Sequence, residues 1–291
     1  MLTFNWRCIG KMGLFYNYQE SGAGVSKNGP KKSRVRIFFE VFGRKFWNIM
    51  LLNFIYVLFC IPIFTIGPAT AAAFKVLKNY SIEKNAFVWS DFWKSFKNDF
   101  KVSFPLGIVY FIALTGAATG IYIYSESMAE SQLYKVLLVL TAIVSLIVLT
   151  SSFFAFLMAS TIKLSVKDII KNSFILTIVS GWRGIVAAVL AIIIIGLPIF
   201  LFSWIQNFLI LIFNLVISEA LAGLAVAFIC YPYVQKYVIE PYYKAIGRDN
   251  PEYDYLKPEG MEDVPLFNDK GGEEAPVVKA KTKGKNKKTI S

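Results

Sequence analysis

FWNIMLLNFIYVLFCIPIFTIGPATAAAF, residues 46–74, holds no charged side chain, yet Pro62 and the Gly67-Pro68 pair interrupt it near its middle. Arg44 and Lys45 precede it, and Lys75 and Lys78 follow. As a helix, residues 46–61 rise about 24 Å, nearly enough to cross a hydrocarbon core of about 30 Å. Pro62 lacks an amide hydrogen and weakens the helix there. Gly67-Pro68 is a turn signal. The stretch reads either as one span with a trailing loop or as a hairpin that enters the bilayer and returns. That choice sets the orientation of every later segment.

Of the 291 residues, 56% are hydrophobic and 17% charged, where soluble domains carry about 25% charge. The apolar excess is gathered into uncharged runs of bilayer-crossing length, which predicts an integral membrane protein. A net charge of +12 would raise nucleic-acid binding in a soluble chain. Here Lys and Arg flank the apolar runs, so the charge is read as a topology signal and no nucleic-acid partner is expected. The chain contains no histidine, the commonest general base and metal ligand. Cys8, Cys60 and Cys230 have no metal-site spacing, and the last two sit in apolar runs as small hydrophobes. No phosphate-binding loop, nucleophile elbow, zinc-protease helix or paired-carboxylate motif is present. The expectation is a non-enzymatic protein with no catalytic residue, cofactor or metal.

Three regions follow from the pattern: a flexible arm over 1–34, a membrane domain over 35–248 and a Lys-rich tail over 249–291, disordered by composition. The arm has no signal-peptide pattern, and Met12 is an alternative start. Phe38, Phe39, Phe42 and Phe46 recur at helical spacing among basic residues, an amphipathic approach to the membrane. Within the membrane domain the expected elements are a hairpin over 46–80, an interfacial helix over 89–101 and spans over 102–124 and 136–162. A second interfacial helix over 163–183 leads to spans over 184–203 and 208–235, with the turn at Trp204 to Asn207. Trp89, Phe92, Trp93, Phe96 and Phe100 form one aromatic stripe, and Trp47, Trp89, Trp93 and Trp182 are the expected interfacial anchors. Gly116 and Gly120 have the spacing of a close helix contact. Asp91 and Asp168, 77 residues apart, leave open an internal duplication of interfacial helix and paired spans.

Lys and Arg decide between the two readings of the opening stretch. If it returns, thirty of the 31 basic residues fall on one side and only Lys135 on the other. A single crossing divides them far less cleanly, so the positive-inside rule favours the hairpin. The predicted fold is therefore all-α and polytopic. It comprises a broken, re-entrant first hairpin, four transmembrane helices and two cytoplasmic interfacial amphipathic helices, with both termini cytoplasmic.

Two places remain for ligand chemistry. Glu219 is the one ionisable residue deep in an expected span, and an intramembrane carboxylate must face the interior, be neutral or be paired. Asn53 and Asn214 are its candidate polar partners; a relay or substrate contact competes with a purely structural hydrogen bond. The second place is the hairpin tip, Pro62, Thr65, Gly67, Pro68 and Thr70. There a helix N-terminus near Ala69 would aim amides inward, against a turn held simply by the Thr65 and Thr70 hydroxyls.

GVSKNGPKK (24–32), CIPIFTIGPATA (60–71) and FVWSDF (87–92) give the chain a family likeness. It resembles the YesL family of bacterial membrane proteins, catalogued as domain of unknown function 624, over roughly residues 12–241. The resemblance implies a multi-pass bacterial plasma-membrane protein. It also implies an accessory role in carbohydrate uptake or its sensing, by contact with a carbohydrate ABC transporter or a sensor kinase. It transfers no catalytic residues. The alternative is a small transporter or channel with a path lined by Glu219 and the broken first unit. The lipid bilayer is the expected partner in either case, and self-association into a homo-oligomer is left open.

Overall fold

The computed structural model describes residues 33–205, 212, 214–247 and 250, and among these the chain is helical with no strand. Helix α1 spans Arg34–Cys60. The Ser33 hydroxyl accepts from the Arg36 amide at 3.4 Å and so caps its start. Its inner face is Val41, Ile49, Leu52 and Ile55, and Phe39, Trp47 and Phe54 lie exposed opposite. The helix stops at Cys60, two residues before Pro62, and a single 3-10 turn, Ile63–Thr65, leads into α2, Ile66–Ser81.

Helix α2 runs back along α1. Arg44 reaches Glu83 at 3.2 Å, and Tyr56 meets Thr70 at 3.3 Å nearer the tip, so the two helices are antiparallel. Helix α2 is the centre of the molecule: Ala69, Ala71, Ala72, Val76 and Leu77 are almost wholly buried. Its alanine-rich first half lets neighbouring backbones come near.

Helix α3, Val88–Glu126, has 39 residues and rises about 58 Å. Residues 89–101 and 102–124, expected as an interfacial helix followed by a span, are thus one continuous helix. Pro105 removes only the bond to the carbonyl of Lys101, an exposed residue, and the helix carries on. A 3-10 turn, Ser127–Ala129, leads to α4, Gln132–Ala159, which returns along α3. Helix α5, Val166–Ser180, opens on Ser165, whose hydroxyl accepts from the Asp168 amide at 3.3 Å. It ends at Gly181, whose φ of +54° only glycine adopts readily, and α6, Trp182–Ile205, begins at once. The segment over 163–183 is therefore cut at Gly181. The two halves differ in build, because α3 is unbroken where α5 and α6 are separate helices. A π-helical turn, Asn214–Ser218, opens α7, Glu219–Val234, which passes through a second, Gln235–Ile239, into α8, Glu240–Ile246.

Among the described residues, four stretches are long and apolar enough to cross a bilayer: Val88–Ala129, Gln132–Ala159, Trp182–Phe202 and Leu215–Ala245. They match the four expected spans in number and order, and the chain is a helical membrane protein. The arm over 1–34 lies outside the described residues except for Ser33 and Arg34, as does the tail over 249–291 except for Asn250. The expected turn from Trp204 to Asn207 falls at the edge of another such gap.

The tightest helix contact is not the one expected. A Cβ on Gly116 would meet open space, and one on Gly120 would touch two side chains and no backbone, the Thr141 methyl at 3.2 Å and the Tyr124 ring at 3.8 Å. A Cβ on Gly67 would run into the Ser103 carbonyl oxygen and lie 2.7 Å from the Gly107 Cα. Helices α2 and α3 thus cross backbone to backbone at Gly67 and Gly107. Nearby, Tyr110 of α3, Ser151 of α4 and Ser173 of α5 place three buried hydroxyls within 2.8–3.1 Å of one another. This knot ties three helices at apolar depth, where unpaired hydroxyls are costly.

Candidate functional site

Glu219 lies directly after the π-helical turn, at the start of α7. It lines a cavity of about 110 Å³ together with Tyr56 of α1, Thr70 of α2, Ala191 and Ile195 of α6, and Gly223. The lining is otherwise apolar. The Thr70 hydroxyl donates to the Ile66 carbonyl at 2.7 Å, which leaves the Tyr56 hydroxyl as donor in their 3.3 Å contact. No described residue hydrogen-bonds the Glu219 carboxyl, although the Tyr56 and Thr70 hydroxyls share its cavity. The volume admits a few waters.

Asn53 has a different task from the one its sequence position invites. Wholly buried in α1, it donates through Nδ2 to the Leu215 carbonyl at 2.7 Å. Its Oδ1 accepts from the Ala220 amide, also at 2.7 Å. Both ends of the amide are spent on backbone groups that the π-helical turn releases from the regular ladder. Asn53 therefore fixes the approach of α7 to α1 and sets where Glu219 begins, without bonding to it. The side chain of Asn214 lies outside the described residues.

At the tip, Pro62 and the change of helix axis leave the Phe59 carbonyl without its usual donor, while the Pro62 carbonyl accepts from the Thr65 amide at 2.9 Å. The Thr65 hydroxyl lies 2.5 Å from the Phe59 carbonyl and 2.6 Å from the Pro62 carbonyl, and serves both. Gly67 is at the backbone crossing with α3, and Pro68 is buried in the first turn of α2, where its missing amide hydrogen costs nothing. The tip residues are thus spent on closing the turn and on packing. Outside them, Ile61, Ile63 and Phe64 are exposed.

The four tryptophans expected as anchors, Trp47, Trp89, Trp93 and Trp182, are all exposed, Trp47 and Trp182 at 74% and 70%. Trp89 stacks on Trp93, and the Lys97 ammonium sits 4.5 Å above the Trp93 ring. The aromatic stripe has a second role, since Phe59 of α1 packs among Phe92, Trp93 and Phe96. Phe92 is fully buried there.

Sequence reasoning passed over Lys78, counted only as a flanking charge. It is 1% exposed, with its ammonium 5.2 Å from the centre of the Tyr231 ring. The ring faces of aromatic residues hold cations in this way. Its neighbour Lys75 donates to the Ser160 carbonyl at 2.8 Å and caps the end of α4. Helical spacing from the buried Ala71 and Phe74 is the signal that places Lys78 inside. Among the described residues no three His, Cys, Asp or Glu side chains cluster as metal ligands, and Cys60 and Cys230 are free thiols.

Residues 49–119 match the model of a family described as a protein of unknown function, DUF624. The resemblance to the YesL family is consistent with this match, since YesL proteins fall within DUF624. The matched segment contains Asn53, the whole tip and both members of the Gly67–Gly107 crossing. No curated protein and no solved structure matches the chain.

Proposed function

We propose that this chain is a non-enzymatic accessory protein of the membrane that acts by contact with another membrane component. The observation that carries this reading is a contrast of size and surface. The cavity around Glu219 is about 110 Å³, well below the roughly 300–1,000 Å³ of small-molecule sites. The ends of α2, α3 and α4, by comparison, combine lysines with exposed Phe87, Trp89 and Trp93. Aromatic and cationic side chains on a stiff helical frame are the material of docking surfaces. On this reading the hairpin over 46–80 enters the bilayer and returns. Both termini and nearly all basic residues then lie on the cytoplasmic side of a bacterial plasma membrane. Carbohydrate uptake as the process served, through an ABC transporter or a sensor kinase, rests on the resemblance alone. Photo-crosslinkers at Trp89 and Trp182 in native membranes, with mass spectrometry of the products, test the reading. Recovery of a transporter or kinase is expected, and recovery of this chain alone overturns it. Cysteines placed at Asn28 and Lys84 should label from the same side; opposite sides would sink the hairpin.

A second reading, a small transporter or channel, draws on the meeting of Glu219, Tyr56 and Thr70 in one cavity. Its mark is loss of solute uptake in Glu219→Gln vesicles that contain no other protein. Uptake unchanged by that substitution removes it.

A further inference from the structure

A polar cleft of about 690 Å³ opens where the ends of α2, α3 and α4 meet. Four ammonium groups line it, from Lys75, Lys84, Lys94 and Lys163, against the carboxylates of Asp91 and Asp99. Both carboxylates are already engaged. Asp91 accepts from the Phe87 amide at 3.1 Å, and Asp99 accepts from the Ser95 hydroxyl at 2.6 Å. Lys75 spends one donor on the Ser160 carbonyl and keeps two. Lys84, Lys94 and Lys163 pair with no carboxylate among the described residues. The amide of Asn79, a residue only 8% exposed, adds a neutral polar group to the wall. The cleft is thus a cationic concavity of ligand-binding size.

Its rim is held rather than loose. The loop from α2 to α3 turns at Glu83, whose φ of +56° is uncommon for a residue other than glycine. The Glu83 carboxylate is tied to Arg44 at 3.2 Å, and the Lys84 amide bonds back to the Asn79 carbonyl at 2.9 Å. Position matters as much as charge. Helix α4 ends at Ala159, inside the lining, and the uncharged run of α3 begins at Val102, three residues past Asp99. In helices that cross a bilayer, that is the depth of the lipid headgroups, where basic pockets take phosphate.

We infer that this cleft binds a phosphate-bearing polar group, supplied by an anionic phospholipid headgroup or by a soluble phosphate ester. The full chain, purified and placed in vesicles of phosphatidylcholine or of equal parts phosphatidylcholine and phosphatidylglycerol, tests it. Thermal unfolding and native mass spectrometry of retained lipid are the readouts, with glycerol 3-phosphate as the soluble probe. The native protein should unfold at higher temperature in one of two arms: with phosphatidylglycerol, which identifies the lipid source, or with glycerol 3-phosphate, which identifies the soluble one. A K84Q/K94Q/K163Q variant should lose that response, by about fivefold in affinity for each lysine at an anionic surface. All three side chains are exposed, so the variant keeps the fold. The same change at Lys101, Lys135 and Lys171, outside the cleft, should leave the response in place. The inference is overturned if neither probe acts on the native protein. It is equally overturned if the cleft and control variants respond alike.

Discussion

Two breaks interrupt apolar helix in this protein, and they are mended from opposite distances. At the hairpin tip, Thr65 serves carbonyls three and six residues away in its own turn. At the π-helical turn before α7, Asn53 reaches across 162 residues of sequence to the Leu215 carbonyl and 167 to the Ala220 amide. Both solve the same problem, a backbone group released from the regular helical ladder that needs a new partner. The local repair closes a turn. The distant repair also welds α1 to α7 and fixes the register of Glu219 within its cavity. Breaking the first should loosen a loop, and breaking the second should loosen the bundle.

The largest effect should follow Asn53→Leu, which keeps the branched shape and heavy-atom count and leaves a buried donor and acceptor unpaired. At about 1–3 kcal/mol for each orphaned group, the loss is several kcal/mol. It should be read as a marked fall in Tm in detergent, and an unchanged Tm would show that the weld carries no load. Next comes Gly107→Ala. Its new Cβ would lie 2.6 Å from the Gly67 Cα, and forcing the helices apart costs about 1–3 kcal/mol. Gly116→Ala, facing open space, serves as the control and should be neutral. Thr65→Val should cost less, about 1 kcal/mol, because the tip has exposed neighbours in Ile61, Ile63 and Phe64. Protease sensitivity near the tip should rise while the rest of the bundle holds; a global loss as large as that of Asn53→Leu would erase the distinction. Smallest is Tyr110→Phe. The Ser151 and Ser173 hydroxyls still face each other at 3.1 Å, so only about 0.5 kcal/mol, the low end for a single hydrogen bond, is expected and is resolvable by denaturant titration.

What could be read in the sequence divides along the same line. Pro62, Gly67-Pro68 and the four apolar runs act through their neighbours in the chain, and their patterns announced a break and four spans. The joining of 89–101 to 102–124 was not announced, because a proline within a helix removes one bond without dictating a stop. Gly181 decides the opposite outcome through its positive φ, a property of conformation and not of composition. Gly67 and Gly107 carry no shared motif, whereas Gly116 and Gly120 have the right spacing and no close backbone across from them. Asn53 was legible as a polar residue in an apolar helix. Its partners were not, since only the fold brings residue 53 to residue 215. The polar cleft was equally hidden, because its lysines belong to three separate segments whose ends the bundle brings together.

The crossing at Gly67 and Gly107 divides α3 evenly, with nineteen residues to Val88 on one side and nineteen to Glu126 on the other. Each arm is about 28 Å long. A rod held closely at its midpoint is a balanced lever: tilting by about 5° carries each tip some 2.5 Å, in opposite directions. Any tilt of α3 about this crossing would therefore move the arm that begins beside the cationic cleft and the arm that ends at the far loop by equal and opposite amounts, with the two facing glycines as the pivot.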